Sequence, residues 1–118
     1  MKGVNSVMIP IDVMAEQLKL LGDKTRLSIF NILFHQEACV CHLVEILKMT
    51  QPNISQHMRK LKDGGLVKEE RKGQWIFYSV DIDDKPYIRE ILSNLPELSE
   101  ESKFVLKGIP CKTKEECL

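Results

Sequence analysis

From Pro10 onward, Ile11, Met14, Ala15, Leu18 and Leu21 recur three or four positions apart, the spacing of one helix face. Gly22-Asp23 interrupts the pattern, and Asp23 is placed to cap a second helix running through Phe34. Leu27, Phe30, Leu33 and Phe34 form its expected buried stripe, widened by Ile29 and Ile32. Near Cys39 the chain turns into a short third helix with Leu43, Ile46 and Leu47 on its apolar side. Gln51-Pro52 opens a fourth, capped by Thr50 or Gln51, with Pro52 in the first turn where its missing N–H is harmless. Ile54, Met58 and Leu61 are its apolar positions, and Gly64-Gly65 ends it with residues able to take positive φ. Beyond this point the pattern changes. Leu66 to Glu70 and Trp75 to Val80 predict two strands joined by Arg71-Lys72-Gly73-Gln74. Asp83 or Asp84 is placed to cap a helix bearing Tyr87, Ile88, Ile91, Leu92 and Leu95, and a last helix is expected from Ser99 to about Leu106.

The predicted fold is mainly α with a β-hairpin wing. Two short helices across a tight turn, followed at once by a hairpin, have the layout of a winged helix-turn-helix, whose second helix enters the major groove of DNA. With Ile54 at the centre of the buried face of the fourth helix, Gln56, Arg59 and Lys60 point away from the core. Ser55 and Lys62 lie on one flank and Asn53 on the other, with Gln51 at the helix start. Amides can read adenine edges, Arg reads guanine, and Ser or Lys reaches phosphates. A solvated polar helix face would look similar in isolation; the Gly-Gly stop and a hairpin tip carrying Arg71, Lys72 and Gln74 favour the nucleic-acid reading. His57 falls at the core edge, where a hydrogen-bonded structural role is expected.

Charge refines the picture only locally. The 118 residues carry 17 basic and 17 acidic side chains, but residues 51–78 hold six basic against three acidic, and the stretch after them is acidic. That asymmetry suits a localised polyanion-binding surface. Apolar residues make up 43% and charged residues 29%, as in one globular domain over residues 1–106, with residues 107–118 as a C-terminal tail. With no export signal and no apolar run long enough for a bilayer, a cytoplasmic protein without membrane contact is expected. Glycine-rich phosphate loops, His/Glu zinc-hydrolase spacing and a nucleophile elbow are all missing, so the sequence argues against an enzyme.

The four cysteines pose the chemical question, since cytosolic thiols stay reduced. Within a regular helix Cys39 and Cys41 would diverge by about 200°. They can converge on one ion only if Cys39 lies in the turn before the helix, where the helix N-terminus would also favour its thiolate. Two small buried apolar residues are the competing reading.

Three stretches decide between these readings. Ala38-Cys39-Val40-Cys41-His42-Leu43, Thr50-Gln51-Pro52-Asn53-Ile54-Ser55-Gln56-His57-Met58 and Gly73-Gln74-Trp75-Ile76-Phe77-Tyr78-Ser79-Val80 resemble the ArsR/SmtB family of metal-sensing transcriptional repressors. Leu20-Leu21-Gly22-Asp23-Lys24-Thr25-Arg26-Leu27 is similar to that family's second helix. The resemblance implies a homodimer joined through the first and post-hairpin helices, binding double-stranded operator DNA and released by an ion held at the Cys-Val-Cys pair. Val44 stands where family members with a complete local arsenic site carry a third cysteine, so Cys111 or Cys117 is expected to complete the site. The post-hairpin helix lacks the histidines of zinc-sensing relatives. An all-thiolate set suits a soft effector, As(III) or Sb(III), or Cd(II) or Pb(II). A redox or persulfide-sensing repressor using the same cysteines is the alternative.

Overall fold

A computed structural model describes residues 9–108. The elements are α1 (Ile11–Leu21), α2 (Lys24–His35), α3 (Val40–Leu47), α4 (Gln51–Asp63), β1 (Val67–Lys72), β2 (Trp75–Val80), α5 (Pro86–Leu92) and α6 (Glu100–Lys107). Cys111 and Cys117 lie outside the described residues.

Three of the six helices begin at side-chain caps. The Asp23 carboxylate accepts from the Arg26 N–H at 3.0 Å, and this bond holds its pKa below the ordinary value. Thr50 accepts from the Asn53 N–H and Ser99 from the Ser102 N–H, each satisfying a donor that a helix start leaves unpaired. Two expectations fail. Neither Asp83 nor Asp84 caps α5: Lys85 is the N-cap without a side-chain bond, and Pro86 sets the start. Asp84 is paired with the Lys85 ammonium instead, at 3.0 Å. Leu95 lies beyond the end of α5.

The core is built from Ile29, Phe30, Ile32 and Leu33 of α2, Val40 and Leu43 of α3, and Ile54, Met58 and Leu61 of α4, closed by Leu66, Ile82, Ile88 and Leu92. On α2 the stripe is rotated from the expected one, with Ile29 and Ile32 inside and Leu27 and Phe34 only half-buried. The α3–α4 turn is made by Lys48 in the left-handed region, φ 58°, where its N–H bonds to Val44 O at 2.9 Å. That conformation is uncommon for a side chain with a Cβ. Gly65 supplies the positive φ after α4, whereas Gly64 is right-handed and serves close packing against the Leu20 side chain.

The hairpin is antiparallel, from Val67 opposite Val80 to Lys72 opposite Trp75. Its turn is therefore Gly73-Gln74 alone, with Arg71 and Lys72 in the strand rather than the loop. Gly73 at φ 65° permits this two-residue turn, whose twist matches that of the strands. α1 leaves most of its apolar stripe in solvent: Ile11 is 83% exposed and Leu18 44%, while Gln17 is buried and accepts from Tyr87 Oη at 2.7 Å. Only Leu21 of the expected stripe is buried, because α1 meets the rest of the domain with a different face. No helix among the described residues is long and apolar enough to cross a membrane.

Candidate nucleic-acid interface and thiol site

The amphipathic pattern of α4 buries Ile54, Met58 and Leu61 completely, so the opposite face is necessarily presented to solvent. Asn53, Gln56, Arg59, Lys60 and Lys62 are exposed along it, with Gln51 and Ser55 half-buried at its edge. Arg71, Lys72 and Gln74 are exposed at the wing tip. The residues expected to face DNA thus lie on two exposed elements. Arg26 anchors the rear of α4: its Nε donates to Leu20 O at 2.7 Å and its Nη1 stands 3.2 Å from His57 Nδ1. His57 has the structural role expected of it, bridging α2 and α4.

Two of these exposed cations are paired with carboxylates. Lys62 is paired with Glu69 of β1, and Lys72 with Glu37 of the α2–α3 connection. Hydrogen bonding to each carboxylate raises the pKa of each ammonium above its ordinary value. Sequence reasoning missed both carboxylates, because each pair joins residues that only the hairpin and the α2–α3 connection bring together.

The Cys39–Val40–Cys41 segment lies at the start of α3. Cys39 is the N-cap, with φ −98° and ψ 171°, and Cys41 is in the first turn of the helix. The departure from helical geometry needed for both sulfurs to face one point is therefore present. Cys39 is 1% exposed, and Cys41 and Trp75 pack against it. Burial raises the Cys39 pKa and outweighs the N–H groups of the α3 start, so the helix terminus does not make this thiol acidic as expected. His42, which the sequence left aside, turns back to accept the Cys39 N–H on Nδ1 at 3.2 Å. Its Nε2 is buried and makes no hydrogen bond, and burial lowers the pKa of the ring, against a smaller opposing effect of the Gly108 backbone.

No group of three or more His, Cys, Asp or Glu side chains among the described residues is arranged to hold a metal ion. Cys39 and Cys41 supply two sulfurs, so further donors must come from elsewhere. The end of α6 bears on this. Gln36 Nε2 donates to Leu106 O at 3.3 Å, while Lys48 pairs with Glu101 at 3.6 Å. α6 therefore runs antiparallel to α3, and Gly108 stands beside the α3 N-terminus.

Comparison with known proteins agrees with this geometry. Residues 23–69 match the family model described as "Bacterial regulatory protein, arsR family". An uncharacterized HTH-type transcriptional regulator of Methanocaldococcus jannaschii, MJ1325, is 41% identical over 85 residues, covering 71% of this chain and 92% of its own. The arsenical resistance operon repressor of Escherichia coli is 38% identical over 74 residues, 62% of this chain and 60% of that protein. A cadmium resistance regulatory protein, the CadC homolog of Staphylococcus aureus, is 37% identical over 73 residues, 61% of this chain and 60% of its own. Among solved structures, the transcriptional repressor PagR of Bacillus anthracis superposes with a TM-score of 0.63 at 32% identity, over 73% of this chain and 95% of that one. A homodimeric winged helix-turn-helix DNA-binding domain of Mycobacterium bovis, Mb0332, gives a TM-score of 0.63 at 26% identity, over 70% and 77%. These relatives are transcriptional regulators rather than enzymes, and the family model spans α2 to the start of the wing, the elements that carry both the cysteine pair and the exposed face of α4. The chain is a member of the ArsR family of regulatory proteins, built on a DNA-binding winged helix.

Proposed function

We propose that this chain is a cytoplasmic, homodimeric transcriptional repressor released from operator DNA by a soft ion, As(III)/Sb(III) or Cd(II)/Pb(II), held by Cys39, Cys41 and a thiolate of Cys111 or Cys117. The observation that carries the reading is Cys39 in non-helical geometry, packed with Cys41, beside the point where α6 ends. Cys111 is three residues beyond Gly108 and Cys117 nine, spans of up to roughly 10 Å and 30 Å in extended chain. Relatives named for arsenical and cadmium resistance support a thiophilic effector.

The exposed apolar side chains support the dimer. Ile11, Val13 and Leu18 of α1 and Ile91 of α5 stay in solvent in the single chain, on the two helices expected to join subunits. A second copy would cover them and pair two groove-facing helices with half-sites about 34 Å apart. On the DNA side, Gln56 reads base edges while Lys62 and Lys72 contact phosphates. Gln56→Ala is expected to relax base preference by about 1–3 kcal/mol of discrimination, read by competition between the preferred duplex and single-base variants. An unchanged preference would show that another residue reads the groove.

Coupling is reciprocal: whatever binds the DNA-released state more tightly weakens DNA binding by the same factor. Drawing Cys39 and Cys41 together at the α3 start reorients α3 against α4, which follows it after three residues. Truncation after Gly108 tests the reading. The shortened chain is expected to bind DNA as the full chain does and to need a much higher cadmium or arsenite concentration for release. Release at the full chain's concentration would make the local pair sufficient. Cys41, which is half-buried, keeps the redox or persulfide alternative in view; thiol titration with and without cadmium separates the two, because ion binding protects thiols without consuming them.

A further inference from the structure

The thiol segment is joined directly to the wing. Ala38 exchanges two backbone hydrogen bonds with Tyr78, at 3.0 and 2.7 Å, so the α2–α3 connection is joined to β2 by a single antiparallel bridge. Cys39 packs against Trp75, where β2 begins. One residue before Ala38, the Glu37 carboxylate is paired with the Lys72 ammonium at the wing tip. Lys72 Nζ also stands 5.2 Å from the Phe77 ring centroid, so its position is set by an aromatic face as well as by the carboxylate. Thus one ammonium at the wing tip is occupied by an acidic group that belongs to the thiol segment.

We propose that Glu37 is an internal stand-in for a DNA phosphate: it occupies Lys72 in the unbound protein and competes with the DNA backbone for that ammonium. The inference rests on the DNA-binding reading of the wing. The side chains of Lys72 and Glu37 are 44% and 39% exposed, so the pair is held weakly and screened by salt. The dense charge of a duplex displaces such a carboxylate, but the displacement subtracts from binding. Because Glu37 is tied through Ala38 to β2 and lies two residues before Cys39, anything that fixes this segment also fixes how readily Lys72 is surrendered. Lys62 and Glu69 form a second pair of the same kind, but Glu69 lies on β1 and belongs to no thiol segment. It provides an internal control.

The test uses the full chain and a labelled duplex that the wild-type protein selects from a random-sequence pool. Glu37→Gln is expected to tighten binding about two- to fivefold at low salt, the range of a released exposed pair, with the gain shrinking as salt rises. In a Lys72→Met background the same Glu37→Gln change is expected to have no effect, while Glu69→Gln still tightens binding there through Lys62. Unchanged affinity for Glu37→Gln alone overturns the proposal. An equal gain with and without Lys72 also overturns it, because Glu37 would then act by general repulsion of DNA. If the wild-type protein enriches no duplex, the DNA-binding reading itself has failed, an outcome visible before any variant is made.

Discussion

Serine at either Cys39 or Cys41 is expected to abolish ion-induced release while leaving DNA affinity near that of the wild type. Neither residue lies on the exposed face of α4 or at the wing tip, so neither reads DNA. Each supplies one sulfur of a pair that provides only two, and a soft ion left with one of them loses most of its binding energy. The effect is large because coupling of this kind is typically about 1–3 kcal/mol, a factor of roughly 5–150 in affinity, and the whole factor is at stake. DNA titrations with and without cadmium or arsenite measure it directly. Serine fits the small space at Cys39, and His42 still accepts the backbone N–H there, so the α3 start is preserved. A Cys39→Ser protein that releases DNA at the wild-type ion concentration would remove Cys39 from the site. Impaired DNA binding without ion would show that the pair is structural.

The largest loss of stability is expected from Phe30→Ala. Phe30 is fully buried in α2, the helix against which the wing, α4 and α1 pack. Removing its ring forfeits apolar burial and leaves a cavity that the helices can only partly close, a change worth about 3–5 kcal/mol. A domain of this kind is stable by about 5–15 kcal/mol in all, so a substantial fraction of the protein would unfold on mild challenge. Urea titration at fixed protein concentration should show a lowered midpoint with an unchanged slope. A loss below about 1 kcal/mol would mean that the site collapses around the gap or that the ring is less buried in solution.

Local rules made much of this architecture legible. Asp23, Thr50 and Ser99 accept their own helix N–H groups, and Ile54, Met58 and Leu61 repeat at helical spacing, so these features need no distant partner to be read. Errors arose where a side chain found a partner other than the one that local periodicity or capping assigns to it. The apolar stripe of α1 promised burial that a single chain does not provide, and Tyr87 draws Gln17 inward instead. Asp84 pairs with Lys85 rather than capping α5. Helix-terminus reasoning made Cys39 acidic, but packing under Cys41 and Trp75 reverses the sign.

The sequence by itself determined the order of elements, the face of α4 turned to solvent and the placement of Cys39 at a helix boundary, because each follows from periodicity or capping over a few residues. Tertiary structure alone decided that Glu37 holds Lys72 and Glu69 holds Lys62, that the Nε2 of His42 is buried without a hydrogen bond, and that α6 ends beside the start of α3. The physical reason is range. Backbone hydrogen bonds at helix ends are satisfied within one turn, whereas a side-chain charge or a buried thiol takes its chemistry from whatever the folded chain brings within a few ångströms, at sequence separations that no local pattern records.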